Sequence, residues 1–387
     1  MNLIFFYVSD QPCNRSISLS ELEQPATNKF AINLQSDGVF ALLDLLAVTG
    51  TVDHVYHIID SKRGNGTLRP TTTSTIYCVP TIECFNNVAT KRDVLFFRGG
   101  FRSWLPFLNK LDKKEYWKLY YRANTNHGHW PYWDIILNDL IPEEKDTWTD
   151  FYFNIKNKKE RLVFPYRKPV NEYIFKPIIP AQHKYDIMLG ASHIHTKKGQ
   201  FLALQACNAL AAKDKKFKDL HYIMPGGMIR AKTNDLINKS WPIWLYKPGA
   251  QKRSCLAKLM NNSKLLIHAG PGGQNDRSVL EALSCGIPIM IKDPKRYSPW
   301  MQENEFVTIC NSHYILDWEK AIERAWAKIP TNWMSFNIYR SELVKWYHSV
   351  NGLWEVALPR MASLINAIKN VQSGDFKTVL ENLGKLK

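Results

Sequence analysis

Short apolar runs, each followed by a loop and a helical pattern, recur along this chain. Residues 2–8 read as a buried strand, residues 10–33 are irregular, and Gly38 opens a helical pattern over 39–46 that Gly50 ends before a strand at 54–59. Residues 62–76, which contain RGNGTLRPTTTST, are polar and rich in turn formers, and are expected to form a surface loop. Apolar runs at 76–79, 93–97 and 117–121 predict three more strands. The second half repeats the scheme with strands at 185–189, 220–224 and 241–246 and helices from about 200–212 and 252–260. An apolar run at 265–267 stops at Gly-Pro-Gly-Gly. A helical pattern with Val279, Leu280 and Leu283 on one side follows, Gly286 closes it, and a last apolar run covers 287–291. Helices are expected at 317–329, twice within 339–367 with breaks near Gly352 and Pro359, and once within 373–387.

Strand, loop, helix, strand in both halves is the pattern of an α/β protein built from Rossmann-like units. The chain has 387 residues, beyond the roughly 250 to 300 at which single cores divide, so two domains are expected. Pro177, Pro180, Gln182 and His183 mark the linker, and the charge run at 156–161 reads as a solvated face.

Composition changes this picture in three respects. The formal net charge is +16, most of it after residue 184, which favours anionic partners: nucleotide diphosphates, acidic membrane lipids in peripheral contact, or nucleic acid. Aromatic residues make up 12%, which suits sugar-stacking surfaces and core packing alike. The 7 cysteines are odd in number and form no CxxC pair, so neither a disulfide framework nor a zinc site is signalled, and a reducing cytoplasm fits best. The opening MNLIFFYVSD lacks a basic lead and reads as a strand rather than a signal peptide. No apolar stretch approaches the roughly 18 to 20 residues of a transmembrane segment.

The densest candidate chemistry lies at 264–293. Gly270, Gly272 and Gly273 let the backbone expose amides beside the positive end of a helix, where a phosphate or a sugar hydroxyl can dock. Asn275 is placed to cap that helix. Arg277 and Glu281, four apart on one face, are placed to pair with each other or to reach one ligand together. A second cluster is the loop at 122–133, with His127, His129, Trp130, Tyr132 and Trp133. Two imidazoles suggest a metal pair, but no cysteine or carboxylate stands at ligand spacing. Arg98 and Gly99 follow a strand, at the end where ligands of open α/β sheets bind.

SVLEALSCGIPIMI, residues 278–291, resembles the nucleotide-sugar signature of the group-one glycosyltransferases, retaining enzymes of GT-B fold. The resemblance runs in order along nearly the whole chain and is most specific at 185–291. It implies two Rossmann-like domains facing a cleft, here 1–178 on the acceptor side and 179–345 on the nucleotide-sugar side, with helices of 346–387 crossing back. Glu281 matches the family's second motif glutamate, which implies a hold on the nucleotide ribose. The first glutamate falls at Gly273, so donor-sugar contacts pass to the amides of Gly272 and Gly273, to Gln274 or to Asn275. Lys198-Gly199 matches the "KG" at a helix start, which implies that the lysine binds the donor diphosphate. Ser192 or His193 stands where the family has an arginine, and Arg277 or Arg230 is left to supply that charge. By resemblance, His127 or His129 touches the donor sugar, the turn at Gly249 receives the nucleobase, and Asp37, Gly38, Arg98, Gly99 and Trp130 lie on the acceptor side.

The expected activity is transfer of a sugar, with retention, from a nucleotide-diphosphate sugar (a UDP-sugar being the first choice) to a hydroxyl of a glycan or glycolipid. Hydroxymethylated DNA as acceptor, and a non-catalytic sugar- or nucleic-acid-binding relative, are the alternatives. No Asp-x-Asp occurs, so no metal and no obligatory cofactor beyond the donor is expected. Lys198, Arg277 and backbone amides would meet the charge of the leaving group.

Overall fold

The computed structural model describes residues 1–9, 38–61, 66–70, 74–78, 85, 89–90, 92–98, 108, 111, 115–122, 133–138, 162–178, 183–190, 199–226, 243–270, 277–292 and 300–384. It divides into two compact units, one of Met1–Pro169 with Trp354–Lys387, the other of Val170–Leu353.

The first unit holds β1 (Leu3–Ser9), α1 (Gly38–Val48), β2 (Val55–Ser61), β3 (Gly66–Pro70), β4 (Ser74–Cys78), β5 (Val94–Arg98), β6 (Trp117–Arg122), β7 (Ile135–Asn138) and β8 (Leu162–Pro165). Its sheet runs β3-β4-β2-β1-β5-β6-β7-β8, parallel throughout except that β3 is antiparallel to β4. Central strands of such a sheet are covered on both faces, which is why β1 and β5 read as continuous apolar runs. Phe6 stacks on Phe97 at 4.3 Å and Trp133 on Tyr120 at 4.8 Å within the core. Trp133, one of the aromatics of the 122–133 loop, is therefore a core residue with no exposed face for a sugar. The expected surface loop at 62–76 is corrected: it contains β3. An outermost strand needs one hydrogen-bonding neighbour only and tolerates Pro70, so its sequence carries little strand signature. The strands β7 and β8 were likewise not anticipated.

The second unit contributes β9 (Tyr185–Leu189), α2 (Gln200–Lys213), β10 (His221–Ile223), β11 (Trp244–Tyr246), α3 (Arg253–Asn261), β12 (Ser263–His268), α4 (Arg277–Ser284), β13 (Ile289–Ile291), β14 (Val307–Ile309), α5 (Ile315–Ala327) and α6 (Trp333–Asn351). The order is β11-β10-β9-β12-β13-β14, and every pairing is parallel. The unit starts at Val170, nine residues before the expected boundary at 178/179, because Val170 and Phe175 bury in its core. Asn261 ties this entering segment down: it accepts from the Ile178 amide at 2.7 Å and donates to the Lys176 carbonyl at 3.0 Å. Arg340 of α6 is fully buried and donates to the carbonyls of Cys285 (2.6 Å) and Gly286 (3.2 Å) and to Asn261 (2.7 Å). A cation facing the last carbonyls of α4 complements that helix's negative end and fixes where it stops.

After α6 the chain returns to the first unit as α7 (Leu358–Ile368) and α8 (Phe376–Asn382), from Trp354 rather than residue 346. Trp117 of β6 donates to the Val371 carbonyl at 2.9 Å and packs edge-on against Phe376, which fastens these helices to the sheet. Among the described residues no helix is long and apolar enough to cross a membrane.

Candidate functional site

The parallel strands of the second sheet deliver their C-terminal ends to one edge, and Gly249 and Gly270 follow the ends of β11 and β12 there. β12 leads through His268 to Ala269 and Gly270, the start of the glycine loop. β9 leads to Gly190, whose amide donates to the Ile267 carbonyl at 2.9 Å, and the chain returns at Gly199 to begin α2. Gly199 has φ 72°, and a Cβ there would lie 2.0 Å from the Ala269 carbonyl oxygen. Only a glycine fits this crossing, so the "KG" helix start and the mouth of the glycine loop, 70 residues apart in sequence, touch through their backbones. Gly199, the N-cap of α2, has no side chain with which to cap it, and the positive end of a 14-residue helix lies at this point.

The turn after β11 meets the turn after β10 at the same edge. The Gly226 amide donates to the Gly249 carbonyl at 2.8 Å, Gln251 donates to the Pro248 carbonyl at 2.7 Å, and no described residue fills the space beside the Gly249 Cα.

Glu281, in the second turn of α4, is 1% exposed. Its ion-pair partner is Arg253, the first residue of α3. Of the two expectations for Arg277 and Glu281, mutual pairing or a shared ligand, the first is corrected: Arg277 opens α4 half-buried, and the carboxylate is met from the neighbouring helix instead. The Arg253 guanidinium lies 4.9 Å from the Phe175 ring centre, and the Phe175 carbonyl accepts from Ser284 Oγ. The sequence reading missed Arg253. The available signal was a cation at the start of a helix, where the macrodipole opposes it unless an anion stands close by.

Cys285, which closes α4, is no nucleophile, because burial pushes its thiol up to about 12. His268 is buried at the end of β12. Lys292, just past β13, is buried too, with Nζ 2.8 Å from His313 Nδ1.

Lys198, Ser192, His193, Arg230, Gly272, Gly273, Gln274 and Asn275 lie outside the described residues, as do Asp37, Gly99, His127, His129 and Trp130. Of the acceptor-side candidates, Gly38 is the buried first residue of α1. Arg98 ends β5, buried, with its guanidinium 5.9 Å from the Tyr121 ring centre.

No family model matches the sequence, and no curated protein matches it. Solved structures match its fold. Sucrose-phosphate synthase from Thermosynechococcus elongatus superposes with a TM-score of 0.60 at 10% identity, over 95% of this chain and 99% of that one. The E. coli trehalose-6-phosphate protein bound with UDP-2-fluoro glucose gives 0.57 at 10% identity, over 95% and 99%. The UDP-forming alpha,alpha-trehalose-phosphate synthase from Burkholderia xenovorans, in complex with glucose-6-phosphate, gives 0.57 at 10%, over 96% and 100%. The fold is that of the GT-B glycosyltransferases, as expected from the sequence.

Proposed function

We propose that the chain is a glycosyltransferase whose nucleotide-sugar donor binds at the C-terminal edge of the second sheet. The observation that carries this reading is the backbone contact of Gly199 with Ala269, which puts the start of α2 against the start of the glycine loop. A diphosphate placed there meets first-turn amides and the positive end of α2, with Lys198 adjacent in sequence. As the bond to the sugar breaks, charge grows on the departing phosphate, and donors already aimed at it stabilise the transition state more than the ground state. Lys198 and Arg277 add cationic charge to those amides. Glu281 takes the ribose and the turn at Gly249 takes the base. The donor is a UDP-sugar, in keeping with the UDP-2-fluoro glucose held by one structural neighbour. Transfer proceeds with retention, and a histidine of the 122–133 loop, His127 or His129, meets the sugar.

The acceptor in this reading is a hydroxyl of a glycan or glycolipid. The charge of +16 supports a second reading, in which the acceptor is DNA. Binding through phosphates weakens steeply with salt and binding to a neutral glycan does not, so a salt titration separates the two. Cys207, Cys255, Cys285 and Cys310 are free, which supports a reducing, cytoplasmic setting.

A panel of nucleotide sugars in thermal unfolding tests the donor site. Ligand at 100 times its dissociation constant stabilises by about 2.7 kcal/mol. Release of free nucleoside diphosphate from the stabilising donor would exclude a non-catalytic relative. No stabilisation by any of them would refute the reading.

A further inference from the structure

Glu281 is buried in a way that calls for explanation. One carboxylate oxygen pairs with Arg253, while Oε2 has no hydrogen-bond partner among the described residues. A buried carboxylate with an empty oxygen is costly until a donor arrives, so the arrangement is that of a site waiting for a hydroxyl. The cation opposite is itself fixed from two sides. Its guanidinium packs on the Phe175 ring at 4.9 Å, and Phe175 is pinned by Ser284 Oγ, three residues after Glu281 on the same helix. Arg253 thus sits between the entering segment of the unit and α4, and the positive end of its own helix opposes its charge. The carboxylate accounts for its presence there.

Resting on the donor reading above, we propose that Arg253 is a positioning residue that keeps Glu281 ionised and turned so that Oε2 faces the ribose hydroxyls. Without the guanidinium, a carboxylate this deeply buried lacks a counter-charge and either takes up a proton or rotates toward water. Each outcome removes an acceptor from the ribose and leaves the diphosphate contacts at α2 in place. The loss should therefore appear as a loss of discrimination for the sugar hydroxyl rather than as a general loss of nucleotide affinity.

The test uses the full chain, with UDP and 2′-deoxy-UDP as probes in calorimetry. Arg253→Met keeps the stem and removes the charge; Arg253→Lys keeps the charge and loses the planar fork. Wild type is expected to prefer UDP by about tenfold or more, the scale of one hydrogen bond to a charged group. Arg253→Met should cut that preference to about threefold or less with affinity for 2′-deoxy-UDP nearly unchanged, and Arg253→Lys should restore part of it. The double variant with Glu281→Gln should be no worse than Glu281→Gln alone, and urea unfolding without ligand should show the two positions coupled. A preference for UDP that survives in Arg253→Met overturns the proposal and leaves the donor site standing. Coupling in ligand-free unfolding with no UDP preference in wild type overturns the ribose assignment, and the positioning role with it. Should Arg253→Met fail to fold, Arg253→Lys carries the test, with a preference expected between those of wild type and Glu281→Gln.

Discussion

Replacing Gly199 with alanine would test the central contact of the second unit. The added Cβ would lie 2.0 Å from the Ala269 oxygen and 2.1 Å from its carbon, whereas ordinary contact begins near 3.4 Å, so two backbone segments must part by about 1.4 Å. Holding alanine at φ 72° costs roughly 1 kcal/mol on its own, and forcing apart packed segments adds about 1 to 3 kcal/mol. A destabilisation of about 2 to 4 kcal/mol follows, against a total stability on the order of 5 to 15 kcal/mol for a domain, so the variant should fold but melt early. Gly249→Ala is the matched control: it has φ 73° but no atom of a described residue within 4 Å of the new methyl, so it should lose only the roughly 1 kcal/mol of the backbone term. Urea unfolding of wild type and both variants, followed by far-ultraviolet circular dichroism, measures the difference. Nucleotide binding should weaken in Gly199→Ala beyond what its lower stability explains, because the helix start and the glycine loop no longer meet. If the two alanine variants lost the same stability, or if Gly199→Ala bound nucleotide as wild type does, the contact would not exist as described.

Three further outcomes are expected. Lys198→Ala should lower kcat with little change in KM in a donor-hydrolysis or transfer assay, since charge on the leaving diphosphate grows toward the transition state; a raised KM with unchanged kcat would remove the lysine from that role. His127→Ala should slow transfer while affinity for the free nucleoside diphosphate stays the same, and His129→Ala should do so if His127→Ala is silent; a double variant with wild-type transfer would take the loop out of the mechanism. His183 packs edge-on against Phe336, and burial first, then Arg340 and Lys264, lower its pKa from 6.5 to about 4. The unfolded chain binds that proton more readily, so the stability from this group is complete above about pH 6.5 and is lost as pH falls toward 4, by an upper bound of about 3.4 kcal/mol that solvent screening of this half-buried ring reduces. His183→Gln should flatten that part of the curve of unfolding free energy against pH; an unchanged slope would refute the assignment.

Much of the second unit was legible from the chain itself. β9 lies at 185–189 and α2 begins at Gln200 as the apolar pattern implied, because a strand buried on both faces and a helix opened by glycine leave strong local marks. The motif at 278–291 likewise marked α4, its closing Gly286 and β13. Some edge and short strands were not legible: β3, at the rim of the first sheet, and β7, β8 and β14, of three or four residues, carry too little periodicity to stand out from loop. The point where one unit gives way to the other was hidden for a different reason. Proline and polar residues near 177–183 look like a linker, yet Val170 and Phe175 had already joined the second core, and burial is a property of the packed neighbours rather than of the segment. The site divides the same way. The chain and its resemblance to a known family could name Glu281, Lys198 and Gly199 as candidates. Only the folded chain could pair Glu281 with Arg253 across 28 residues instead of with Arg277 one turn away, and show that Gly199 is a glycine because another backbone occupies the place of its side chain. A helix face presents its neighbours at three and four residues, but a buried carboxylate takes whichever cation the tertiary packing brings to it.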